Sequence, residues 1–346
     1  MMKVAESVLA GHPDKVCDQV ADAIVDEFLH RDSHARVQVE VFAGHGAMMI
    51  SGDVDSRADF DCAAIAKRVY KDIGYDDVVE PFVHLGTTER EWAALVSKGA
   101  ACEPAICHGF ATAATREMLP QVQVFAHALA RQLDEARKHD EKMRWVKPDG
   151  RVLVVMDGKE VTHVVIFCQH DAGVKVQEVH SGMLERVIRP VIGSLDHVKL
   201  FVNPAGPFTQ GGLSCATGQS GRRGASDLYG GLVPHGDVAL SGKSPDHPLR
   251  AGSYMARHIA KSLVASNKAR QALVKLVYIT GRTEPIIVEA IGDNGADLTS
   301  AIRGVFDLSL DAIVKKFNLR KPIYQSLATY GHMGRETPWE QPTILS

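Results

Sequence analysis

Residues 11–54 read GHPDKVCDQVADAIVDEFLHRDSHARVQVEVFAGHGAMMISGDV, and the change of period inside this stretch decides the fold class. Val16, Val20, Ile24 and Phe28 recur every fourth residue, which predicts an amphipathic helix over 14–30. Pro13 suits its first position and His12 stands where a cap belongs. Val37, Val39 and Val41 then alternate with Gln38, Glu40 and Phe42, the period of a half-buried strand. Gly44-His45-Gly46 is a turn, 47–54 a returning strand, and 58–73 a second helix stopped by Gly74.

The same grammar recurs twice. A long helix is expected over 112–138, then strands near 151–156 and 161–169 joined by Asp157-Gly158, a type I′ hairpin signal. A helix near 175–189 leads to a strand at 198–202. The third round has a helix over 251–265, strands near 272–279 and 284–290, and helices near 296–305 and 308–316. Three α+β units, each a sheet covered by helices on one face, satisfy this pattern. The expected boundaries are 1–100, 101–214 and 215–346. Strict βαβ alternation is missing, as are the GxGxxG and GxxxxGK[ST] phosphate loops, which argues against a doubly wound nucleotide fold.

The chain of 346 residues has a net charge of −3 and an ordinary 45% hydrophobic content. An acidic balance disfavours nucleic acid and membrane surfaces as partners. No apolar run is long enough to span a bilayer, and the start turns polar too soon for a signal peptide. The six cysteines lack CxxC spacing; buried thiols in a reducing cytoplasm are the expectation. Cys102, Cys107 and His108 match no recurrent zinc pattern.

Two polar, glycine-rich segments carry chemistry. Gly11-His12-Pro13-Asp14-Lys15 opens a helix, where free N–H groups and the helix dipole favour phosphate. A histidine, a carboxylate and a lysine in one turn supply a donor, a Mg²⁺ ligand and a fixed cation. A capped surface helix with its charges in water would look the same in composition. The second segment, 203–250, contains Asn203-Pro204-Ala205-Gly206-Pro207-Phe208-Thr209-Gln210, then Thr217-Gly218-Gln219-Ser220-Gly221-Arg222-Arg223, then Ser241-Gly242-Lys243. A long irregular stretch inside a compact protein is usually functional, and its arginines and lysine suit phosphate oxygens. Recurring Phe, Leu, Tyr and Val argue against a disordered linker.

Glu6-Ser7-Val8 with Gly11-His12-Pro13-Asp14-Lys15-Val16-Cys17-Asp18-Gln19 resembles the N-terminal signature of S-adenosylmethionine synthetases. Asn203 to Gly212, Asp227-Leu228-Tyr229-Gly230-Gly231, Ala239-Leu240-Ser241-Gly242-Lys243 and Tyr330-Gly331-His332-Met333-Gly334-Arg335-Glu336 with Pro338-Trp339-Glu340 resemble the rest, in order along the chain. The resemblance implies three pseudo-symmetric two-layer α/β-sandwich domains and a homodimer whose active site lies between subunits; it leaves tetramers open. It implies attack of methionine sulfur on C5′ of a nucleoside triphosphate, expelling tripolyphosphate. By the same resemblance His12, Lys15, Arg222 and Lys243 are catalytic. Asp149, Arg151, Phe208, Gln210, Arg223 and Ala239 bind nucleotide, and Asp53, Ala216 and His247 stand at methionine-binding positions. Asp14 would bind Mg²⁺ and Glu40 K⁺.

The departures from the family cluster in the pockets. Cys102-Glu103-Pro104-Ala105 replaces a Gly-Asp-Gln-Gly element, Ala216 and Leu249 replace aspartates, His247 a lysine and Asp53 a glutamate. Gln210 stands where an aliphatic residue is usual, and an amide can read a base edge. The family's methionine-contacting glutamine finds no counterpart near Thr87 and Thr88. The triphosphate grip is thus retained while both substrate pockets are altered. ATP is the expected nucleotide and CTP the leading variant. A tripolyphosphatase or a silent regulatory subunit would also fit altered pockets, but retention of the phosphate grip speaks against the silent subunit.

Overall fold

The computed structural model describes residues 2–87, 94, 98–236 and 239–345. It is an α+β protein with three sheets, each with helices packed on one face. β1 (Met2–Val8) precedes α1 (Pro13–Arg31), the hairpin β2 (Arg36–Gly44) and β3 (Ala47–Asp55), α2 (Cys62–Ile73) and β4 (Glu80–Thr87). β5 (Ala105–Thr112), α3 (Gln121–His139), β6 (Val146–Asp157), β7 (Glu160–His170), α4 (Val176–Gly182) and β8 (Lys199–Val202) follow. The remainder comprises β9 (Thr217–Gln219), α5 (Gly224–Leu228), α6 (Pro248–Ala265), β10 (Gln271–Tyr278), β11 (Ile287–Ile291), α7 (Thr299–Ile302) and α8 (Leu310–Phe317).

The sheets run β4-β3-β2-β9, β1-β6-β7-β8 and β11-β10-β5. Each sheet therefore borrows one strand from a distant part of the chain. β1 pairs with β6 from Met2↔Asp157 to Val8↔Arg151, β5 pairs with β10, and β9 closes the edge of β2. α1 and α2 cover the first sheet, α3 the second and α6 the third.

The opening helix and hairpin form as their periods require. His12 caps α1, its Nδ1 accepting the Asp14 N–H at 3.2 Å. Elsewhere the expectations shift. The helix expected from 112 begins at Gln121, because Ala105–Thr112 is extended and pairs with β10. Gly109 permits this: a Cβ there would sit 1.9 Å from the Ala256 backbone, so the strand approaches α6 only without a side chain. α2 starts at Cys62, where Asp61 accepts the Ala64 N–H at 3.0 Å. The β6–β7 turn has Gly158-Lys159 at its tip, since Asp157 pairs with Glu160. Only Gly158 has positive φ (58°), so the turn is not type I′. The helix expected over 175–189 passes through a π-helical segment at Met183–Ile188. The expected 296–305 helix is reduced to Thr299–Ile302.

α1 also carries what its apolar stripe conceals. Asp14, Asp18, Asp22 and Asp26 recur every fourth residue, the first three of them buried. Asp14 accepts the Gln219 N–H at 3.1 Å, Asp18 the Gly221 N–H at 2.8 Å and Asp22 the Gly242 N–H at 2.9 Å. Asp26 accepts those of Tyr324 and Gln325 at 2.9 and 2.8 Å. Burial pushes its carboxyl up to about 6 despite those bonds. Asp22 also holds the Arg250 guanidinium at 2.6 Å, both side chains being fully buried. Removing one partner of such a pair strands a charge, so Asp22→Ala should cost about 3–5 kcal/mol in denaturant-measured stability. A loss below about 1 kcal/mol would show that the pair does not anchor the helix.

Candidate active site

The N-terminus of α1 meets β9 and its following turn at van der Waals limits. Gly218 lies so close to Pro13 that a Cβ would be 2.1 Å from the Pro13 carbonyl oxygen. This brings Arg222 and Arg223 onto the first turn of the helix. Arg223 Nε donates to Asp14 Oδ2 at 2.7 Å and its Nη1 to Glu6 Oε1 at 2.8 Å. Arg222 Nη1 lies 3.2 Å from Asp14 Oδ1 and remains half-exposed. Arg151 reaches Glu6 Oε2 at 3.8 Å. The result is a cationic mouth at a helix N-terminus, suited to an anion.

His12 sits in this mouth as a neutral imidazole. Burial and then the Arg223 guanidinium push its pKa down to about 3. Its Nδ1 lies 3.8 Å from Asp14 Oδ2, but an ion pair would need a proton on Nδ1. The Asp14 backbone N–H occupies that nitrogen. The shorter of the two contacts, from the Asp14 N–H, puts the proton on Nε2; Arg223 Nη2, itself a donor at 3.5 Å, then makes no hydrogen bond to that nitrogen.

A cavity of about 430 Å³ opens beside it, lined by His12, Asp149, Arg151, Phe167 and residues 205–208. Asp149 is pushed up to about 6 by burial and accepts the Gly212 N–H at 2.9 Å. Phe208 also lines it. Gln210 lies outside this lining, exposed, with Oε1 accepting from the Cys215 thiol at 3.7 Å. Ala239 is buried against Gly221. Ala216 is exposed between Gly212 and β9, its N–H donating to the Gly212 carbonyl.

Lys15 points elsewhere. Its ammonium is buried between Asp18, at 2.9 Å, and Asp227. Burial opposes its charge, yet the two carboxylates outweigh that and raise its pKa. Asp227, buried beside Asp18, is pushed up to about 7.

The remaining candidates form a second cluster. Lys243 Nζ lies 3.3 Å from Glu40 Oε1, and Glu40 projects from the outer face of β2. Asp53 is on the same face, opposite Gln38. His247 caps α6 by accepting the Leu249 N–H at 3.3 Å, and its Nε2 is 3.1 Å from Glu103 Oε1. Burial lowers the His247 pKa against the pull of Glu103. No hydrogen bond or ion pair joins this cluster to His12 or Asp14 among the described residues. Thr88 lies outside those residues.

Known proteins match the chain along nearly its whole length. The S-adenosylmethionine synthetase N-terminal domain model matches residues 1–88, the central domain model 98–208 and the C-terminal domain model 210–341. The chain is similar to the S-adenosylmethionine synthase of Aquifex aeolicus, 35% identical over 99% of this chain and 97% of that protein. It is 36% identical to S-adenosylmethionine synthase 1 of Rhodospirillum rubrum, over 97% of this chain and 95% of the relative. The Salinibacter ruber S-adenosylmethionine synthase is also 36% identical, over 98% and 95%. The chain belongs to the S-adenosylmethionine synthetase family. It is a methionine adenosyltransferase-like enzyme.

Within this family member, sequence reasoning gave no role to Glu6, Asp18, Asp227 or Gln219. A signal existed: a carboxylate every fourth residue on an otherwise apolar-faced helix needs partners, and the Gly-rich segment supplies them.

The tautomer is directly testable. Nitrogen-15 NMR of His12 at pH 5.5 should show a neutral ring with the proton on Nε2. A charged ring at that pH would contradict the arrangement. The linkage has one sign: free histidine takes a proton near 6.5 and folded His12 does not, so its contribution to stability falls as pH drops below 6.5.

Proposed function

We propose that the chain catalyses attack of methionine sulfur on C5′ of a nucleoside triphosphate, ATP by default, releasing tripolyphosphate and a sulfonium product. The observation that carries this is His12, which lines a cavity of about 430 Å³ together with Arg151 and stands beside Arg223, whose guanidinium with that of Arg222 gathers on Asp14. Displacement at a primary carbon needs in-line placement and a stabilised leaving anion. In this reading the phenylalanine-walled cavity takes the nucleoside, the guanidiniums take the polyphosphate, and His12 Nε2–H donates toward O5′ as that oxygen gains charge.

Asp14 fits a Mg²⁺ ligand of the usual kind, one carboxylate with phosphate oxygens and waters completing the shell. Both of its oxygens now serve Arg222, Arg223 and the Gln219 N–H, so metal and guanidiniums would share it or exchange on it. Mg²⁺ there would offset charge on the phosphates. Glu40 is half-exposed and offers an oxygen donor suited to K⁺.

The separation of the two clusters supports a site completed by a second copy. Glu40 and Asp53 share the outer sheet face with Phe42, Met49 and Phe82, which are 51%, 49% and 55% exposed. These three stand in register across β2, β3 and β4. An apolar row of this kind suits an isologous interface. Pairing of two such faces would bring Lys243, Glu40, Asp53 and His247 of one protomer toward the His12 mouth of its partner.

Two experiments test the reading. Incubation with methionine, Mg²⁺, K⁺ and each of ATP, CTP, GTP and UTP should give sulfonium with ATP. Product with CTP alone would replace the nucleotide assigned, and phosphate without sulfonium would replace the reaction. His12→Ala should slow turnover by several powers of ten with nucleotide affinity nearly kept. An equally active variant would remove histidine from the chemistry. Second, mixing inactive His12→Ala and Lys243→Ala chains should restore roughly a quarter of wild-type activity, because half of random dimers hold one intact site. No recovery under conditions where subunits exchange would place the site within one protomer.

A further inference from the structure

We propose that Gln169 and His170, at the end of β7, are positioning residues that set the width of the nucleoside cavity; the proposal rests on the assignment of that cavity above. His170 is buried and grips Phe208 through both backbone groups. Its N–H donates to the Phe208 carbonyl at 2.9 Å, and its Nε2 accepts the Phe208 N–H at 3.3 Å. The ring's second nitrogen, Nδ1, then carries the proton and donates to the Asp171 carbonyl at 2.9 Å. Trp145 packs edge-on against the ring, 6.5 Å between centroids. Gln169 spans the two walls. Its Oε1 accepts the Asp149 N–H at 3.4 Å and its Nε2 donates to the Thr209 carbonyl at 3.5 Å. Gly211 closes over this amide so tightly that a Cβ would lie 2.8 Å from Gln169 Cδ.

The residues so held, Asp149 and Phe208, both line the cavity and belong to separate segments of the chain. Asn203 completes the staple at the start of the loop. Its Oδ1 accepts the Cys168 N–H at 2.9 Å and its Nδ2 donates to the Cys168 carbonyl at 3.0 Å, with φ of 43°. Residues 203–209 thus form a wall pinned to a strand end at three consecutive residues. Neither Gln169 nor His170 lines the cavity, so their effect on nucleotide is exerted through Phe208 and Asp149.

Steady-state kinetics on the full-length enzyme test this. His170→Asn, too short to present an acceptor where Nε2 now lies, should raise the nucleotide KM ~10-fold, the effect of losing about one hydrogen bond's worth of placement. The change in kcat should be smaller. Inhibition by inorganic tripolyphosphate, which needs no nucleoside wall, should be unchanged. His170→Gln, whose amide reaches the Nε2 position, should restore KM. Gln169→Leu should repeat the KM effect and guards against a His170 variant that fails to fold. A wild-type KM in His170→Asn and Gln169→Leu would overturn the proposal, as would parallel loss of tripolyphosphate affinity, which reports general collapse. Phe208→Ala separates the two readings. If it leaves the nucleotide KM unaltered, the cavity assignment falls and the clamp with it. If it raises KM while His170→Asn does not, the cavity stands and the clamp alone falls.

Discussion

The structure depends on one helix presenting carboxylates to backbone. Four aspartates spaced by four repel one another on an isolated helix, by a few tenths of a kcal/mol per pair. Here each is bonded to N–H groups from the C-terminal half of the chain. The repulsion is offset only when those segments arrive, so α1 and the segment from Gln219 to Gly242 stabilise each other. A glycine-rich stretch with little regular structure is thereby fixed along a rigid rod, and the rod's N-terminus becomes the floor of the site. The two glycines of this set, Gly221 and Gly242, have φ of 79° and 82°. They turn their N–H groups inward without a Cβ penalty.

The same ladder sorts charges by task. At the solvent end, Asp14 gathers two guanidiniums, one of them half-exposed and free to follow an incoming anion. One turn deeper, Asp18 and Asp227 enclose Lys15, and one turn deeper again Asp22 holds Arg250. Desolvation makes the inner pairs hard to break, while the outer group keeps contact with water. Charge mobility therefore decreases with distance from the mouth. His12 completes the gradient as an uncharged donor among cations, which keeps it from competing with them for the leaving group.

Much of this was legible in the residues. The shift from a four-residue to a two-residue period at 30–37, and its recurrence, predicted three sheets with helices on one face, but not that β1 joins the second sheet, β5 the third and β9 the first. What escaped had physical causes. The strand Ala105–Thr112 went unassigned, because its partner, β10, lies far along the sequence and local propensity cannot register a distant edge. The joining of His12, Asp14, Arg222 and Arg223 in one site, and their closeness to Asp149, Arg151 and Phe208, was implied by the family resemblance; residue chemistry alone marked only two separate phosphate-suited segments. The carboxylates that neutralise Lys15 were not foreseen, since spacing does not say which side of a helix meets a loop. His247 is another case: a residue placed at a methionine-binding position by the family resemblance also serves as a helix cap, a use that its position does not announce.

The cyclic lending of strands has a consequence for how the chain is made. β1 emerges from the ribosome first but finds its partner only when Arg151–Asp157 has been synthesised. β2 waits for Thr217–Gln219 to finish its sheet, and β5 waits for Gln271–Tyr278. No nascent fragment therefore closes a complete sheet of its own before much of the polypeptide is out. A polypeptide cut short before Val202, Gln219 or Ile291 leaves the second, first or third sheet without its last strand, and open strand edges are substrates for chaperones or for degradation.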